Sequence, residues 1–570
     1  MEKWVLAAKR ADFQEIGRKY GIDPVIARII RNRDITEDAE INQYLNGTLD
    51  DIPSWKSLKD IDKAVEIISQ KIDLGTRMRI IGDYDIDGVT ATYILLKGFK
   101  RLGANVDTYI PDRIADGYGI HNHLIEKAKE DGVDTIVTCD NGISAADQIA
   151  FAKKMGMTVV VTDHHEVPFE DTEEGRKYKL PLADVIINPK QSDCTYPNKN
   201  ICGAVVAMKL VFALYEKYGI PESEKEDYLE PAAIATVGDI MDLQGENRIL
   251  VKEGLLRLPH TKNKGLKALI RAIGLENQKI SSYDIGFRLG PCINASGRLD
   301  TAKRALELLN ASNRREAVTL AADLKELNDS RKEMTEEGVE EAVRQIESSS
   351  WKDDQVLVVY LPECHESIAG IIAGRIKERY YRPTFVLTKG EAGVKGSGRS
   401  IEAYDMFAEM SRCRELFTKF GGHKLAAGLS LEEENVEVFR KRINELADLT
   451  EEDLQMKVSI DMRLPFPYIN EELIHELKIL EPFGKGNGKP LFAESKLRVI
   501  QPRIFGKNRN VLKCRLEDQQ GNQMEAVYFG EVEDCLRQME KKQIMSFTYY
   551  PSINEYMGRR TIQLTIVNYQ

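Results

Sequence analysis

Short apolar runs alternate with helical stretches along the chain from residue 78 onward. Five of these runs are rich in aliphatic and β-branched residues and cover residues 78–82, 105–110, 134–139, 158–162 and 184–188. Strands separated by helices indicate a parallel sheet with helices on both faces. Runs that are apolar at nearly every position are typical of strands buried on both sides. The pattern therefore predicts an α/β fold built on a parallel sheet.

Two other segments show helical patterns. Apolar residues at helical spacing predict one amphipathic helix within residues 51–76, at Ile61, Val65, Ile68 and Ile72. Residues 301–350 contain no proline and one glycine, Gly338, among many good helix formers. We expect a long helix there, with an interruption near Gly338, and interpret it as a solvated spacer between two lobes.

The C-terminal half repeats the alternation and then becomes β-rich. Residues 356–360 and 384–387 are the predicted strands of a second α/β region. From about residue 458 to residue 570, turn signals such as residues 518–522 separate β-rich runs, which favours a small barrel. The predicted segments are a helical segment 1–50, a parallel-sheet domain 51–260, a helical region with the long connector 261–350, a second α/β domain 351–450 and an OB-like β-barrel 451–570.

Composition narrows the setting of the protein. The 570 residues are too many for one hydrophobic core, and no run of about 20 apolar residues predicts a membrane span. The start of the chain lacks the apolar region of a signal peptide. The eight cysteines are scattered without a CxxC pair, which argues against zinc ribbons and disulfide frameworks. We expect a cytoplasmic protein.

The charge is unevenly distributed. A net charge of −11 argues mildly against a nucleic-acid partner. Residues 484–515, however, contain nine Lys and Arg residues, including Lys507, and a single acidic residue, Glu494. An OB-like barrel with a basic groove and an aromatic such as Phe505 is a common binder of single strands. A charged turn region is the alternative interpretation.

Acidic residues follow three of the predicted strands. Because ligands of open α/β sheets bind outside the carboxyl ends of the strands, these side chains are expected to meet at one edge. Aspartates crowded together repel each other unless a cation is bound. Carboxylates suit Mn²⁺ and Mg²⁺, the imidazoles favour Mn²⁺, and two such ions suit in-line displacement at a phosphodiester. Helix N-capping is the alternative for each aspartate alone. The residues are Asp83, Asp85, Asp87, Asp140, Asp163, His164 and His165.

These segments resemble the motifs of the DHH phosphoesterase superfamily. Residues 83–88, 140–142 and 163–165 resemble its first three motifs, and residues 235–241 resemble the fourth, which contains Asp239. The resemblance implies catalysis by two metal ions, with Asp83 assisting and His165 facing the phosphate. Many members have a histidine four residues before Asp85, where this chain has Ile81; Asp83 or water would replace it. The implied core ligands are Asp85, Asp87, Asp140, His164 and Asp239.

Further segments resemble the RecJ branch of that superfamily. They cover residues 111–119, 183–189, 289–298, 367–376, 395–400, 420–423 and 480–487. Within them, Cys292 stands where a basic residue is common. The resemblance implies 5′→3′ hydrolysis of single-stranded DNA to 5′-mononucleotides, in DNA repair and recombination. It also implies substrate contacts, for which a surface salt bridge of Arg298 and a packing role of His423 are the alternatives. The residues implied in substrate binding are Arg113, Asn294, Arg298, Ser397, Arg399 and His423.

The resemblance also implies partners, and other functions remain open. The implied partners are single-stranded DNA, single-strand-binding protein and a RecQ-type helicase, with a monomeric chain and no membrane. One alternative is a DHH phosphodiesterase acting on short oligonucleotides or cyclic dinucleotides, against which the C-terminal barrel argues. The others are a non-catalytic DHH replication scaffold and a single-strand-binding protein with a vestigial catalytic lobe. The retained aspartates argue against both.

Overall fold

The computed structural model describes residues 2–117, 119–172, 175–390, 393–506, 508–556 and 558–570. Tyr118, in the RecJ-like segment 111–119, and Lys507, in the basic stretch, lie outside the described residues. The chain forms two compact units. One comprises the residues up to Asp51 together with Asp242–Ile249 and Lys457–Gln570, and the other comprises Ile52–Met241 and Leu250–Met456.

The N-terminal segment is one strand followed by three helices. The second helix begins at Pro24, whose fixed φ suits the first helical position, and Val25 N donates to the Asp23 carboxylate at 2.7 Å. Its apolar face packs into the hydrophobic core of the C-terminal barrel. The elements are β1 (Lys3–Leu6), α1 (Phe13–Tyr20), α2 (Pro24–Asn32) and α3 (Asp38–Asn46).

The first α/β region contains the predicted parallel sheet. Its five strands run in the order β3-β2-β4-β5-β8 and pair in parallel throughout. Every residue of β2 and β4 is buried, as their apolar sequences require. All five predicted strands are thus confirmed. The elements are α4 (Ile61–Asp73), β2 (Met78–Ile81), α5 (Ile86–Arg101), β3 (Val106–Tyr109), α6 (Asn122–Glu130), β4 (Thr135–Cys139), α7 (Ala146–Lys154), β5 (Thr158–Thr162), β6 (Phe169–Thr172), β7 (Gly175–Tyr178), β8 (Val185–Ile187) and α8 (Gly203–Tyr218).

A helical region follows, and it corrects two predictions. The long helix α15 starts at Arg314 after a break at residues 310–313, and it continues through Gly338 without interruption. Gly338 allows close approach instead, since a Cβ there would lie 2.4 Å from Ile372 Cδ1. The helix is also no solvated spacer, because residues such as Leu324 and Ile346 are fully buried. The elements are α9 (Leu229–Gly238), α10 (Gly245–Arg257), α11 (Lys264–Ala272), α12 (Ser282–Asp284), α13 (Gly290–Leu299), α14 (Lys303–Leu309) and α15 (Arg314–Glu347).

The second α/β region is a mixed sheet with strand order β12-β13-β11-β10-β9. Only β9 and β10 pair in parallel among the described strands of this sheet; the other pairs are antiparallel. Both predicted strands are confirmed as β9 and β10. The elements are β9 (Leu357–Tyr360), α16 (Ala369–Tyr380), β10 (Thr384–Gly390), β11 (Gly393–Arg399), α17 (Met406–Ser411), β12 (Lys419–His423), β13 (Ala426–Leu431) and α18 (Asn435–Leu446).

The C-terminal region is a closed barrel, as predicted. Five strands follow the order β16-β17-β18-β20-β19, and pairing of β16 with β19 closes the ring. The basic stretch lies largely on β16 and β17, which pair with each other, so it is not a turn region. The elements are β14 (Lys457–Ile460), β15 (Met462–Arg463), α19 (Glu471–Glu476), β16 (Phe492–Phe505), β17 (Val511–Glu517), β18 (Gln523–Tyr528), α20 (Val532–Lys541), β19 (Ile544–Tyr556) and β20 (Arg559–Tyr569).

No helix in the described ranges is both long enough and apolar enough to cross a membrane.

The N-terminal helices are part of the barrel's core, and Ile29 tests this. Ile29 is 1% exposed in the cluster shared by α2 and the barrel. We expect Ile29→Ala to lower the free energy of unfolding of this unit by about 2–5 kcal/mol, because it leaves a cavity. The measurement is a urea titration followed by Trp4 fluorescence, with Trp55 and Trp351 replaced by phenylalanine. Val567→Ala, at a position 48% exposed, is the control and should change stability by under about 0.5 kcal/mol. Equal effects of the two substitutions would contradict a shared core.

Candidate metal centre and phosphate site

Three separate chain segments bring carboxylates to one imidazole. His164 follows β5, and its Nε2 lies 3.1 Å from an oxygen of Asp140, which follows β4. The same nitrogen lies 3.6 Å from Asp87, at the start of α5, and 3.6 Å from Asp239, after α9. The sheet edge predicted from the sequence is therefore where these side chains meet.

The turn after β2 and the first residues of α5 together present three aspartates. Asp85 caps α5, since its Oδ1 accepts hydrogen bonds from the backbone of Asp87 and Gly88 at 2.9 and 3.0 Å. A Cβ on Gly88 would lie 2.5 Å from the carbonyl oxygen of Asp83, so only glycine permits this turn. The N-capping alternative is thus correct for Asp85, yet Asp85 also groups with Asp83 and Asp140 within ligand distance.

A helix N-terminus holds Asp87 in place. Gly203 N and Ala204 N, at the start of α8, donate to the two oxygens of Asp87 at 2.6 and 2.8 Å. Backbone donors and the helix dipole favour a negative charge at this position. Sequence reasoning missed these two residues. The onset of the apolar run at residue 203 was the available signal, but nothing local links it to Asp87.

Asp163 orients the histidines instead of joining a metal-binding group. Its Oδ1 accepts from His164 N at 2.7 Å and from His165 Nδ1 at 2.8 Å, and its Oδ2 accepts from Ile143 N at 2.9 Å. Burial opposes ionisation of His165, but the hydrogen bond and charge of Asp163 raise its pKa to about 9. His165 is therefore a cation beside the carboxylates, in keeping with the phosphate-facing role that the family resemblance implies.

Without a bound cation, the negative charges of these carboxylates repel one another. Burial, and then the charges of neighbouring aspartates, raises the pKa of Asp83, Asp85 and Asp140. Burial, then Asp87 and Asp85, raises the pKa of Asp239 to about 8. A divalent cation would reverse this balance by stabilising the ionised forms.

The donor set fits hard divalent metal ions. Three groups place ligand atoms within 4.8 Å of one another. Among the described residues, Asp83 Oδ1 and Asp239 Oδ2 are buried oxygens without a hydrogen-bond partner. Ile81 cannot contribute, because its side chain lies in the apolar core beneath the sheet, whereas Asp83 stands at the cluster. The groups are Asp83–Asp85–Asp140, Asp87–His164–Asp239 and Asp140–His164–His165.

Three arginines lie next to this centre. Arg113 stacks over the ring of Tyr84 at 5.0 Å, and Tyr84 separates Asp83 from Asp85. Arg298 donates to the carbonyl oxygen of Ser367 at 2.9 Å, and it has no carboxylate salt-bridge partner in the described part of the chain.

The arginines also oppose one another electrostatically. Burial, then the charge of Arg113, lowers the pKa of Arg298 to about 10 and also lowers the pKa of Arg399. Guanidinium groups this close together repel one another, and an anion bound among them would stabilise their charges. A phosphate of the substrate would supply one, directly beside the carboxylate centre.

The remaining residues predicted to bind substrate differ in their surroundings. Ser397 and Arg113 line a cavity of about 390 Å³, together with Lys395 and Lys419. The side chain of Asn294 is engaged by the protein itself, since its Oδ1 accepts from Ile86 N at 2.8 Å. His423 is exposed at the end of β12 and lines neither that cavity nor a metal-binding group among the described residues.

The close packing at Gly203 gives a direct test of the metal centre. A Cβ there would lie 2.8 Å from Asp140 Cβ, so Gly203→Ala must displace Asp140 or the start of α8. We expect a 10- to 100-fold loss in Mn²⁺ affinity or kcat, typical for residues that position metal ligands. Gly374→Ala is the matched control, because a Cβ there meets nothing within 4 Å. Unchanged metal affinity and kcat in Gly203→Ala would refute the proposed arrangement.

Comparison with known proteins matches this architecture region by region. Residues 77–236 match the family model of the DHH family, N-terminal domain. Residues 353–448 match the DHHA1 domain, and residues 460–568 match the RecJ OB domain. Over 569 residues the chain is 35% identical to the single-stranded-DNA-specific exonuclease RecJ of Escherichia coli, covering 96% of each chain. The chain belongs to the RecJ family. The RecJ of Bacillus subtilis is also 35% identical over 551 residues, which cover 96% of this chain and 68% of that relative.

Solved RecJ structures agree with this assignment. RecJ from Thermus thermophilus in complex with Mn²⁺ superposes with a TM-score of 0.83 at 28% identity, covering all of this chain and 79% of that one. A structure of the exonuclease RecJ bound to manganese superposes with a TM-score of 0.60 at 32% identity, covering 69% and 96% of the two chains. The predicted fold is confirmed: a DHH domain, a second α/β domain and a C-terminal OB-like barrel.

Proposed function

We propose that this RecJ-family chain is a metal-dependent exonuclease that degrades single-stranded DNA from the 5′ end to 5′-mononucleotides. The observation that carries the proposal is the contact between two oppositely charged clusters. The carboxylate centre and the arginine cluster meet at Tyr84, where Arg113 lies 5.0 Å from the ring. A phosphodiester between them would be held by cations on one side and presented to the metal centre on the other.

The chain's own residues have distinct roles in this proposal. Asp83, Asp85, Asp87, Asp140, His164 and Asp239 would hold two Mn²⁺ or Mg²⁺ ions. When bound, such ions activate a water molecule and neutralise the charge that develops on the phosphate. His165, kept cationic by Asp163, would donate a hydrogen bond to a non-bridging phosphate oxygen. The two amides of α8 hold the Asp87 carboxylate in place.

The 5′→3′ polarity is what the family resemblance implies, and the arginines would supply the binding site for the terminal phosphate. Arg113, Arg298 and Arg399, with Ser397 nearby, would bind the phosphate at the 5′ end of the strand, since guanidinium groups form strong paired bonds to phosphate. The bond offered to the metal centre is then the first one inside that end. His423 would approach the strand from the second α/β region. Hydrolysis at this bond releases one mononucleotide at a time.

The barrel supplies a second surface for unpaired strands. Phe505 is 47% exposed on β16, and the Lys513 ammonium lies 5.6 Å from its ring centre. Aromatic platforms beside basic groups bind single strands with little sequence preference. A phosphodiesterase for dinucleotides has no need of this surface, so the alternative of a small-nucleotide enzyme is disfavoured.

A labelled-oligonucleotide assay tests the proposal. Purified protein and Mn²⁺ are incubated with single strands labelled at the 5′ or the 3′ end, and with a blunt duplex. We expect immediate release of the 5′ label as mononucleotide, gradual shortening of the 3′-labelled strand and sparing of the duplex. Equal digestion of the duplex would contradict strand specificity. Cleavage of dinucleotides alone would place the protein in the small-nucleotide branch.

Other expectations of the family resemblance belong to the same proposal. We propose single-strand-binding protein and a RecQ-type helicase as partners, a monomeric and cytoplasmic chain, and a role in repair and recombination. The segment boundaries at residues 50, 260, 350 and 450 remain proposals from the sequence pattern. The shared core of the N-terminal helices and the barrel means that truncation near residue 455 is a poor test of the barrel, because it would expose residues such as Ile26 and Ile29.

A further inference from the structure

Two exposed aromatic rings lie on the helical stretch that precedes α13. Tyr283 and Phe287 are 64% and 65% exposed. Their ring centres are 4.6 Å apart with an interplanar angle of 25°, so they stack on one another. Neither the metal centre nor the arginine cluster uses them. A contiguous exposed apolar patch marks a candidate interaction surface.

The backbone that carries the rings is fixed. Residues Ile285–Leu289 form a π-helical turn between α12 and α13, an arrangement found mostly at functional sites. The buried side of this turn, Ile285 and Leu289, is fully enclosed. The start of α12 is closed by a capping box in which Ser281 and Asp284 exchange hydrogen bonds. The backbone beneath the rings is therefore fixed by its packing and its capping hydrogen bonds.

The same helical stretch touches two segments that supply metal ligands. A Cβ on Gly286 would lie 3.9 Å from Val237, two residues before Asp239. A Cβ on Gly290 would lie 3.1 Å from Ile86, which stands between Asp85 and Asp87. The helical stretch that carries the aromatic pair thus packs against the segments of Asp239 and of Asp85 and Asp87.

Ile240 is a third exposed apolar residue, next in the chain to a metal ligand. It follows Asp239 directly, has a φ of 56° and is 65% exposed. A β-branched residue in the left-handed region is a genuine outlier, and such strain collects at functional sites. The exposed side chain of Ile240 therefore directly follows the metal ligand Asp239 in the chain. Gly286 packs near Val237 of the same segment.

We propose that Tyr283 and Phe287 form a stacking platform for unpaired nucleobases on the 3′ side of the scissile phosphate, with Ile240 contacting the strand between the platform and the metal centre. The proposal rests on the proposed exonuclease function. Arg298 lies on α13, eleven residues beyond Phe287, or about 17 Å along helical backbone. A strand held at its 5′ end by Arg298 would pass the metal centre and reach the rings a few nucleotides later.

The chemistry of the rings indicates that the ligand of this platform is an unpaired base. An open aromatic face accepts any base by stacking, which suits an enzyme that must digest every sequence. In a duplex the base faces are already stacked on their neighbours and unavailable. The platform would thus favour single strands over duplex at the level of binding.

The test replaces the rings and the bases in turn. We expect Tyr283→Ala/Phe287→Ala to raise KM for a 5′-phosphorylated 20-nucleotide strand by about 10- to 100-fold, the range expected for stacking of one base, with kcat on a dinucleotide unchanged. Phe287→Trp should retain wild-type KM. The matched control is Phe169→Ala/Tyr178→Ala, an exposed aromatic pair whose Phe169 ring is covered by Arg176 at 3.7 Å.

Strands with one abasic site at successive positions from the 5′ end separate stacking from a structural effect. For wild-type protein, KM should rise about tenfold at one or two positions, and the double variant should lose this position dependence. A double variant with wild-type KM, or one that keeps the same abasic profile, would overturn the inference. Failure of the wild-type protein to digest any single strand would instead refute the proposed function.

Discussion

Asp140→Ala should abolish hydrolysis while leaving the fold intact. Asp140 contributes to two of the three ligand groups, and its oxygen lies 3.1 Å from His164. We expect kcat to fall by at least about 1000-fold, because even a single donor to developing charge is worth about 10²–10³. Binding of single strands should change little, since the arginines and the barrel are untouched. Activity is measured by mononucleotide release, and binding by fluorescence anisotropy in Ca²⁺.

Thermal unfolding separates this effect from misfolding. Burial and neighbouring aspartates raise the pKa of Asp140, so its ionised form opposes folding at neutral pH when no metal is bound. In EDTA the variant should therefore be at least as stable as wild type. With Mn²⁺ at a hundred times its Kd, wild type gains about 2.7 kcal/mol, and the variant should lose most of this gain. Asp193→Ala, which removes a surface ion pair with Lys59, is the control. Residual activity within a few fold of wild type would disprove the metal assignment.

Arg298→Ala should have the second largest effect, and it should act on substrate binding. Burial, then the charges of neighbouring arginines, with Arg113 foremost, lowers the pKa of Arg298 to about 10. Hydrogen bonds to a charged group contribute about 1.5–3 kcal/mol, so kcat/KM should fall by about 10- to 150-fold. The loss should appear with 5′-phosphorylated strands and be much smaller with 5′-hydroxyl strands.

A nearby arginine gives the control for that experiment. Arg288 precedes α13 on the same helical stretch but pairs with Asp284 at 3.1 Å and donates to Ile273 O at 2.8 Å. Arg288→Ala should leave kcat/KM within about twofold. If Arg298→Ala lowered the rates on both kinds of strand equally, the 5′ phosphate would have to bind elsewhere. Lysine at position 298 should recover only part of the loss, since it cannot form the paired guanidinium contact.

The sheet and most metal ligands were predictable because they depend on local patterns. An apolar run followed by aspartate shows in the sequence where a buried strand ends. Because the carboxyl ends of parallel strands share one edge of the sheet, Asp83, Asp140 and His164 are expected to lie close together. Asp239 required the family resemblance, because it ends a helix and not a strand. The role of Asp163 was less accessible, since a carboxylate that orients two histidines looks the same in sequence as one that binds metal.

Features that depend on distant packing were not predictable. The amides that hold Asp87 come from residues 116 and 117 positions away. Gly338 suggested a helix break when the chain was considered alone, but its actual constraint is the neighbouring Ile372. The parallel pairing of β1 with β14, which joins Lys3 to Lys457, likewise has no signature in either segment.

That last pairing has a consequence for how the protein is made. The barrel unit contains residues 1–51 and 457–570, so it cannot fold until the second of these segments has been synthesised. At synthesis rates of about 5–20 residues per second, the apolar faces of the N-terminal helices wait roughly 25–100 s for their partners. During that interval the catalytic unit can fold, while the apolar face of α2 stays exposed to solvent and to other proteins. Chaperone demand during expression should therefore concentrate on this short leading segment.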